Sequence, residues 1–223
     1  EMRERALPIL ESHGVDLVLC GHWMPLTVYY GKGEGEFENA TVLSSEVGWF
    51  NSLAIYDFNK DGLLDILAGN EGMNNKFKAS KEHPFKLYAN DFDNNGTNDV
   101  VLSKFYKDDY VPLRGRECTS QQMPYVADKF KDYHSFASSK LIDILPKDKI
   151  KGAVIYEIEN FESIVLMNEK GKFKSSPLPI QAQVSPIKDA IIKDFNKDGF
   201  QDIIIVGNHY GVEVETIRYD AGN

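Results

Sequence analysis

Three acidic segments of nine residues align without a gap: DFNKDGLLD at 57–65, DFDNNGTND at 91–99 and DFNKDGFQD at 194–202. Each runs at once into an apolar, β-type stretch (ILAGN, VVLS, IIIVGN), and two follow a matching lead-in, NSLAIY before Asp57 and KDAIIK before Asp194. The repeated unit is strand, acidic loop, strand. A chain built on such a repeat must bury its strands against neighbouring copies, which narrows the fold more than any other feature.

A second repeated element lies upstream of the first and third loops. LTVYYGKGEGEFENATVL from Leu26 and SIVLMNEKGKFKSSPLP from Ser163 both read as strand, Gly-containing turn, Phe and second strand. Phe37 precedes Asp57 by 20 residues and Phe173 precedes Asp194 by 21. A hairpin followed by an acidic-loop hairpin predicts a four-stranded antiparallel unit, and such units in series build propeller blades. The expected fold class is all-β, a partial β-propeller with a small α-helical insertion. The insertion is placed at 106–150, where Val126, Phe130, Tyr133, Phe136, Leu141 and Ile144 fall near helical spacing and predict two short helices, Pro146 ending the second. It reads as a cap on a blade edge or as a partner-binding insertion. The expected divisions are 1–22 (helix–strand lead-in), 23–105 (blades with two loops), 106–150 and 151–223 (blade with the third loop).

Each loop has the spacing D-x-[DN]-x-[DN]-G-x-x-D, which sets side-chain oxygens at positions 1, 3, 5 and 9 and a backbone carbonyl at position 7. The candidate metal ligands are therefore Asp57, Asn59, Asp61, Leu63 and Asp65; Asp91, Asp93, Asn95, Thr97 and Asp99; and Asp194, Asn196, Asp198, Phe200 and Asp202. Position 6 is Gly62, Gly96 or Gly199, as a sharp turn requires. Hard oxygen donors without His or Cys suit calcium. An EF-hand is rejected, because its closing Glu at position 12 is here Ala68, Leu102 or Ile205. The competing reading is an Asx turn in which Asp and Asn simply bond backbone amides. It weighs most on the second loop, where Asn95 replaces an Asp.

Composition agrees with a cation partner. The chain carries 34 acidic and 25 basic residues, a net charge of −9, and the three Asp of each loop account for that whole excess. No broad footprint for nucleic acid is expected. No apolar run approaches the roughly 18–20 residues of a membrane span. Cys20 and Cys118 are far apart and fit no metal or redox spacing, so a disulfide between them is not expected. The chain opens on Glu1 without a basic-then-apolar leader and reads as an excised piece, compatible with an export signal upstream.

The three loops, each leading into an apolar strand, resemble the FG-GAP or VCBS repeats of integrin-type propellers and many bacterial surface proteins. The runs from GWFNSLAIYDFNKDG to NDVVLS, then PLRGRECTSQQMP, then SPLPIQAQVSPIKDAIIKDFNKDGFQDIIIVGN, are similar in order to a VCBS-containing subgroup. That subgroup is similar to the cartilage acidic protein and to proteins of the ASPIC/UnbV class. The resemblance implies a calcium-binding propeller segment, extracellular, cell-surface or periplasmic, with protein or glycan partners and no catalytic role. The remainder of a propeller would be a further partner, since the repeats are too few to close a ring and strands near Val18 and Ile204 should expose pairing edges.

Residues 1–22, EMRERALPILESHGVDLVLCGH, read as an amphipathic helix, a stop at Gly14 and a buried strand. They resemble the C-terminal part of a calcineurin-like metallophosphoesterase, where such a strand delivers two metal-ligating histidines. Here His22 matches the first, Met24 stands at the second, and the other signatures of that family are absent. A phosphoesterase remnant fused to a repeat region is thus the alternative function, and a propeller strand leading into the Trp-Met-Pro turn is the simpler one. His13, His83, His134 and His209 are dispersed. Arg114, Arg116 and Glu117, beside Gln121 and Gln122, offer a ligand site for a carboxylate or sugar, or an internal salt-bridge network with a neighbouring blade.

Overall fold

The structure is a computed structural model that describes residues 17–19, 25–33, 36–212, 216 and 218–221. Gly14, Cys20, His22 and Met24 lie outside the described residues, as does the expected N-terminal helix. The chain is mostly strand, in several antiparallel sheets, and the described residues form no closed barrel. No helix is long and apolar enough to cross a membrane among the described residues. Two compact units emerge, one of residues 1–76 with 160–223 and one of residues 77–159.

In the first unit, β1 (Leu17–Leu19), β2 (Pro25–Gly33) and β3 (Glu36–Val47) form one antiparallel sheet. A second sheet contains β4 (Ser52–Tyr56), β5 (Asp65–Gly69), β10 (Ile164–Glu169) and β11 (Lys172–Pro177), in the order β11-β10-β5-β4. The third is the hairpin of β12 (Asp189–Lys193) and β13 (Asp202–Val206). The lead-ins and the apolar stretches after the acidic loops are these strands. The pairing of hairpins differs from the consecutive scheme expected above. The β10–β11 hairpin joins the first loop's β5, with Leu166 opposite Ile66 and Ile164 opposite Ala68, rather than the third loop's strands. The β2–β3 hairpin pairs with β1 instead of with β4.

The blade is therefore an acidic-loop hairpin followed by a Gly-turn hairpin, and residues 77–159 interrupt it between β5 and β10. The reason is burial. Leu67, Ala68 and Leu166 are fully buried, and Ile66, Ala68, Ile164 and Leu166 share one apolar cluster with Leu26, Val28, Leu43 and Phe50. Central strands this apolar need a partner on each side, and β10 supplies it to β5. The turn at Lys170 and Gly171, with φ of 55° and 89°, has the two left-handed residues of a tight hairpin.

The far end of this sheet from the acidic loop is closed by Asn70. Its side-chain oxygen accepts from the Trp49 and Glu71 N–H groups at 3.1 and 2.8 Å, and its amide donates to the Asn160 and Glu162 carbonyls at 3.0 and 3.1 Å. The β12–β13 hairpin lies beside β4. The Ser52 hydroxyl donates to the Ile187 carbonyl at 2.7 Å, so β4 and β12 start at the same end and deliver their loops to the same end. Of the two edge residues expected above, Val18 pairs with Val28 along one side, while Ile204 pairs with Ile191 and stays 46% exposed.

In the second unit, β6 (Phe85–Asn90), β7 (Asp99–Tyr106), β8 (Asp109–Pro112) and β9 (Val154–Ile158) form a sheet in the order β8-β7-β6-β9. Between β8 and β9 run α1 (Arg116–Gln122), α2 (Tyr125–Lys129), α3 (Tyr133–Ala137), α4 (Leu141–Ile144) and α5 (Lys147–Lys151). Five short helices thus replace the expected two. The apolar spacing runs on across breaks, but Gly115, Pro124, Asp132, Lys140 and Pro146 each cap a new start. Pro146 follows directly on the C-cap of α4 at Leu145, as expected, and also opens the last helix, as its fixed φ of −63° favours. Met123, Val126, Phe136, Leu141, Ile144 and Leu145 pack with Tyr88, Phe92 and Val101, so the helices cover one face of the sheet that carries the second loop.

Candidate metal loops

The three loops share one hydrogen-bond scheme. At position 1, Oδ2 of Asp57, Asp91 and Asp194 accepts the N–H of the position 6 glycine at 2.9, 3.0 and 3.0 Å. At position 9, Oδ2 of Asp65, Asp99 and Asp202 accepts the N–H of the phenylalanine at position 2, at 2.9, 2.9 and 2.8 Å. The side-chain oxygen of position 5 accepts the N–H of position 7: Leu63 to Asp61 at 2.8 Å, Thr97 to Asn95 at 2.7 Å and Phe200 to Asp198 at 2.8 Å. The glycines turn through φ of 86°, 86° and 92°, a region that costs other residues about 1–2 kcal/mol. Lys60, Asn94 and Lys197, at position 4, are left-handed too, with φ of 61°, 61° and 62°.

Positions 3 and 5 always join an amide to a carboxylate. Asn59 donates to Asp61 at 2.9 Å and Asn196 to Asp198 at 2.8 Å, whereas in the second loop Asn95 donates back to Asp93 at 3.1 Å. Asn95 is therefore compensated: the carboxylate missing at position 5 stands at position 3. The second loop has the same charge as the others, so the physical ground for setting it apart falls away.

That exchange brings three carboxylates together. Asp91, Asp93 and Asp99 each present an oxygen within 4.8 Å of the other two. Oxygens around a calcium ion, bound at 2.3–2.6 Å, lie at most about 5 Å apart, so this spacing fits one ion. In the first and third loops the matching positions are Asp57, Asn59, Asp65 and Asp194, Asn196, Asp202. There, Oδ1 of Asp194 is a buried carboxylate oxygen with no hydrogen-bond donor. Its counterparts in the other loops accept N–H groups, from Asp61 and from Asn95, both at 3.0 Å. The donor set and the orphaned oxygen both fit a hard cation.

The electrostatics of the second loop reflect crowding. Burial pushes the Asp99 carboxyl up, the charges of Asp93 and Asp91 push it further, and the Phe92 N–H and Gln122 oppose them. For Asp91 burial acts in the same upward sense, but the N–H groups of Gly96 and Asn95 together with Lys149 outweigh it and leave the group below its ordinary value. Asp198 is also held low, by the Phe200 N–H and the Asn196 amide first and by Lys60 as well.

Several residues that fix the loops carry no repeat signal. Asp65 is fully buried and its second oxygen accepts the Asn168 N–H at 2.8 Å, while the Asn168 amide donates to the Leu64 carbonyl at 3.1 Å. Asn90 donates to the Lys149 carbonyl at 2.7 Å, tying the end of α5 to the second loop. Only spatial pairing identifies Asn168 and Asn90; Asn90 at least directly precedes its loop.

Two of the three candidate ligand-site residues, Arg116 and Glu117, are engaged with each other and with the helical segment. Arg116 donates to the Phe130 and Ala127 carbonyls at 2.6 and 3.4 Å, pairs with Glu117 at 2.8 Å and lies 5.5 Å from the Tyr133 ring centre. Tyr133 donates to the same Glu117 oxygen at 2.8 Å. These bonds cap the end of α2 within the helical segment. Of the histidines, His83 stacks on Phe105 at 3.7 Å and His209 is bridged through its backbone to Tyr219.

Comparison with known proteins adds one match: the FG-GAP-like repeat family matches residues 14–68, which supports an FG-GAP repeat in this part of the chain. The span contains the first acidic loop entire. It also takes in residues 16–22, the stretch that resembles the phosphoesterase strand. Neither the curated proteins nor the solved structures gave a match.

Proposed function

We propose that the chain is a calcium-binding propeller-repeat module of an exported or cell-surface protein, serving protein or glycan binding or scaffolding rather than catalysis. The convergence of Asp91, Asp93 and Asp99 within 4.8 Å carries this reading. Asp57, Asn59 and Asp65, with Asp194, Asn196 and Asp202, would hold an ion in the same way, and the position 7 carbonyls of Leu63, Thr97 and Phe200 would complete the set. A bound calcium supplies charge neutralisation to loops that otherwise hold three carboxylates each. The chain's own contribution is orientation: backbone N–H groups fix every carboxylate before any cation arrives.

The partner most directly suggested is a further blade. On one face of the β12–β13 hairpin, Ile191, Ile204 and Val206 are 60%, 46% and 56% exposed, a surface suited to sheet-on-sheet packing. Thermal unfolding tests the calcium reading. A ligand at 100 times its Kd adds about 2.7 kcal/mol per site. Millimolar calcium should raise the melting temperature and a chelator should reverse the rise; a curve indifferent to both refutes the reading.

A further inference from the structure

Lys60 belongs to the first loop, yet its ammonium group donates to the Gly199 carbonyl of the third. The contact follows from the parallel placement of β4 and β12, which brings both loops to one end of the first unit. Gly199 is central to its own loop: its N–H binds Asp194, and Phe200, the next residue, donates to Asp198. Lys60 shares the left-handed backbone of its loop position, φ 61°, with Asn94 and Lys197, φ 61° and 62°. A fixed positive charge is therefore held against the loop whose Asp194 oxygen lacks a donor.

We propose that Lys60 sets the cation affinity of the third loop from the first, acting as a built-in counter-charge that an incoming divalent ion must overcome. The inference rests on the calcium reading above and adds to it a link between two sites. Neutralising Lys60 removes repulsion toward a cation at the third loop, while the second loop, in the other unit, serves as the control.

Calcium titration followed by the amide NMR signals of Gly62, Gly96 and Gly199 reads each loop separately. In Lys60→Met the Gly199 midpoint should fall roughly two- to fivefold, the range expected for an exposed charge pair. Gly96 should keep its midpoint, and Lys60→Arg should leave Gly199 close to wild type. A Gly199 midpoint unmoved in Lys60→Met, with all three signals titrating, overturns the coupling and leaves the calcium reading standing. Glycine signals that ignore calcium in the wild-type chain overturn both.

Discussion

Asn95 donates its side-chain N–H to Asp93 at 3.1 Å, the reverse of the bond that Asn59 donates to Asp61 at 2.9 Å. Each loop thus holds one amide and one carboxylate at positions 3 and 5, in either order. Exchanging the two in the second loop, by Asp93→Asn with Asn95→Asp, should leave stability in chelator within about 0.5 kcal/mol of wild type. Asn95→Asp alone sets two carboxylates against each other and should cost about 0.5–1 kcal/mol under the same conditions, an effect that salt diminishes. Urea denaturation of the three chains is the check.

The exchange is visible in the sequence, but its meaning is not, because a hydrogen bond and not the residue type shows that Asn95 is compensated. The strands flanking each loop are legible from their apolar stretches and lead-ins. The pairing of β10 with β5 is not, since Leu166 lies 100 residues from its partner Ile66 and local periodicity says nothing of which hairpin lies next to which. The helical segment misleads for a related reason: Phe130, Phe136 and Leu141 share a core through separate short helices, and a common core keeps an apolar rhythm across their breaks.

Glycines divide into two kinds. A Cβ on Gly96 meets nothing within 4 Å, so Gly96→Ala should cost only the left-handed backbone, about 1–2 kcal/mol. A Cβ on Gly207 falls 1.5 Å from the Pro186 carbonyl oxygen, where backbone must move. Gly207→Ala should cost about 3 kcal/mol, the upper end of the usual range for overpacking, against a rigid partner. Denaturation midpoints of the two variants should separate clearly.

Arg116 binds two carbonyls at the end of α2. Arg116→Ala should destabilise the chain by about 1.5–3 kcal/mol, the range for hydrogen bonds to a charged group. Arg116→Lys should recover little, because an ammonium cannot span both carbonyls and the Tyr133 ring. A neutral effect of Arg116→Ala on thermal stability contradicts the structural role.

The apolar face of β12–β13 should make the isolated chain self-associate. Light scattering over a range of concentrations should show a rising apparent mass that Ile191→Thr with Ile204→Lys suppresses. A wild-type chain that stays monomeric throughout shows that the face is covered.

Equilibrium calcium binding tests the central claim most directly. Isothermal titration should find three ions per chain, and Asp57→Ala, Asp91→Ala and Asp194→Ala should each remove one while leaving the other two. Less than one ion bound per wild-type chain at millimolar calcium, or a stoichiometry indifferent to all three substitutions, contradicts the account.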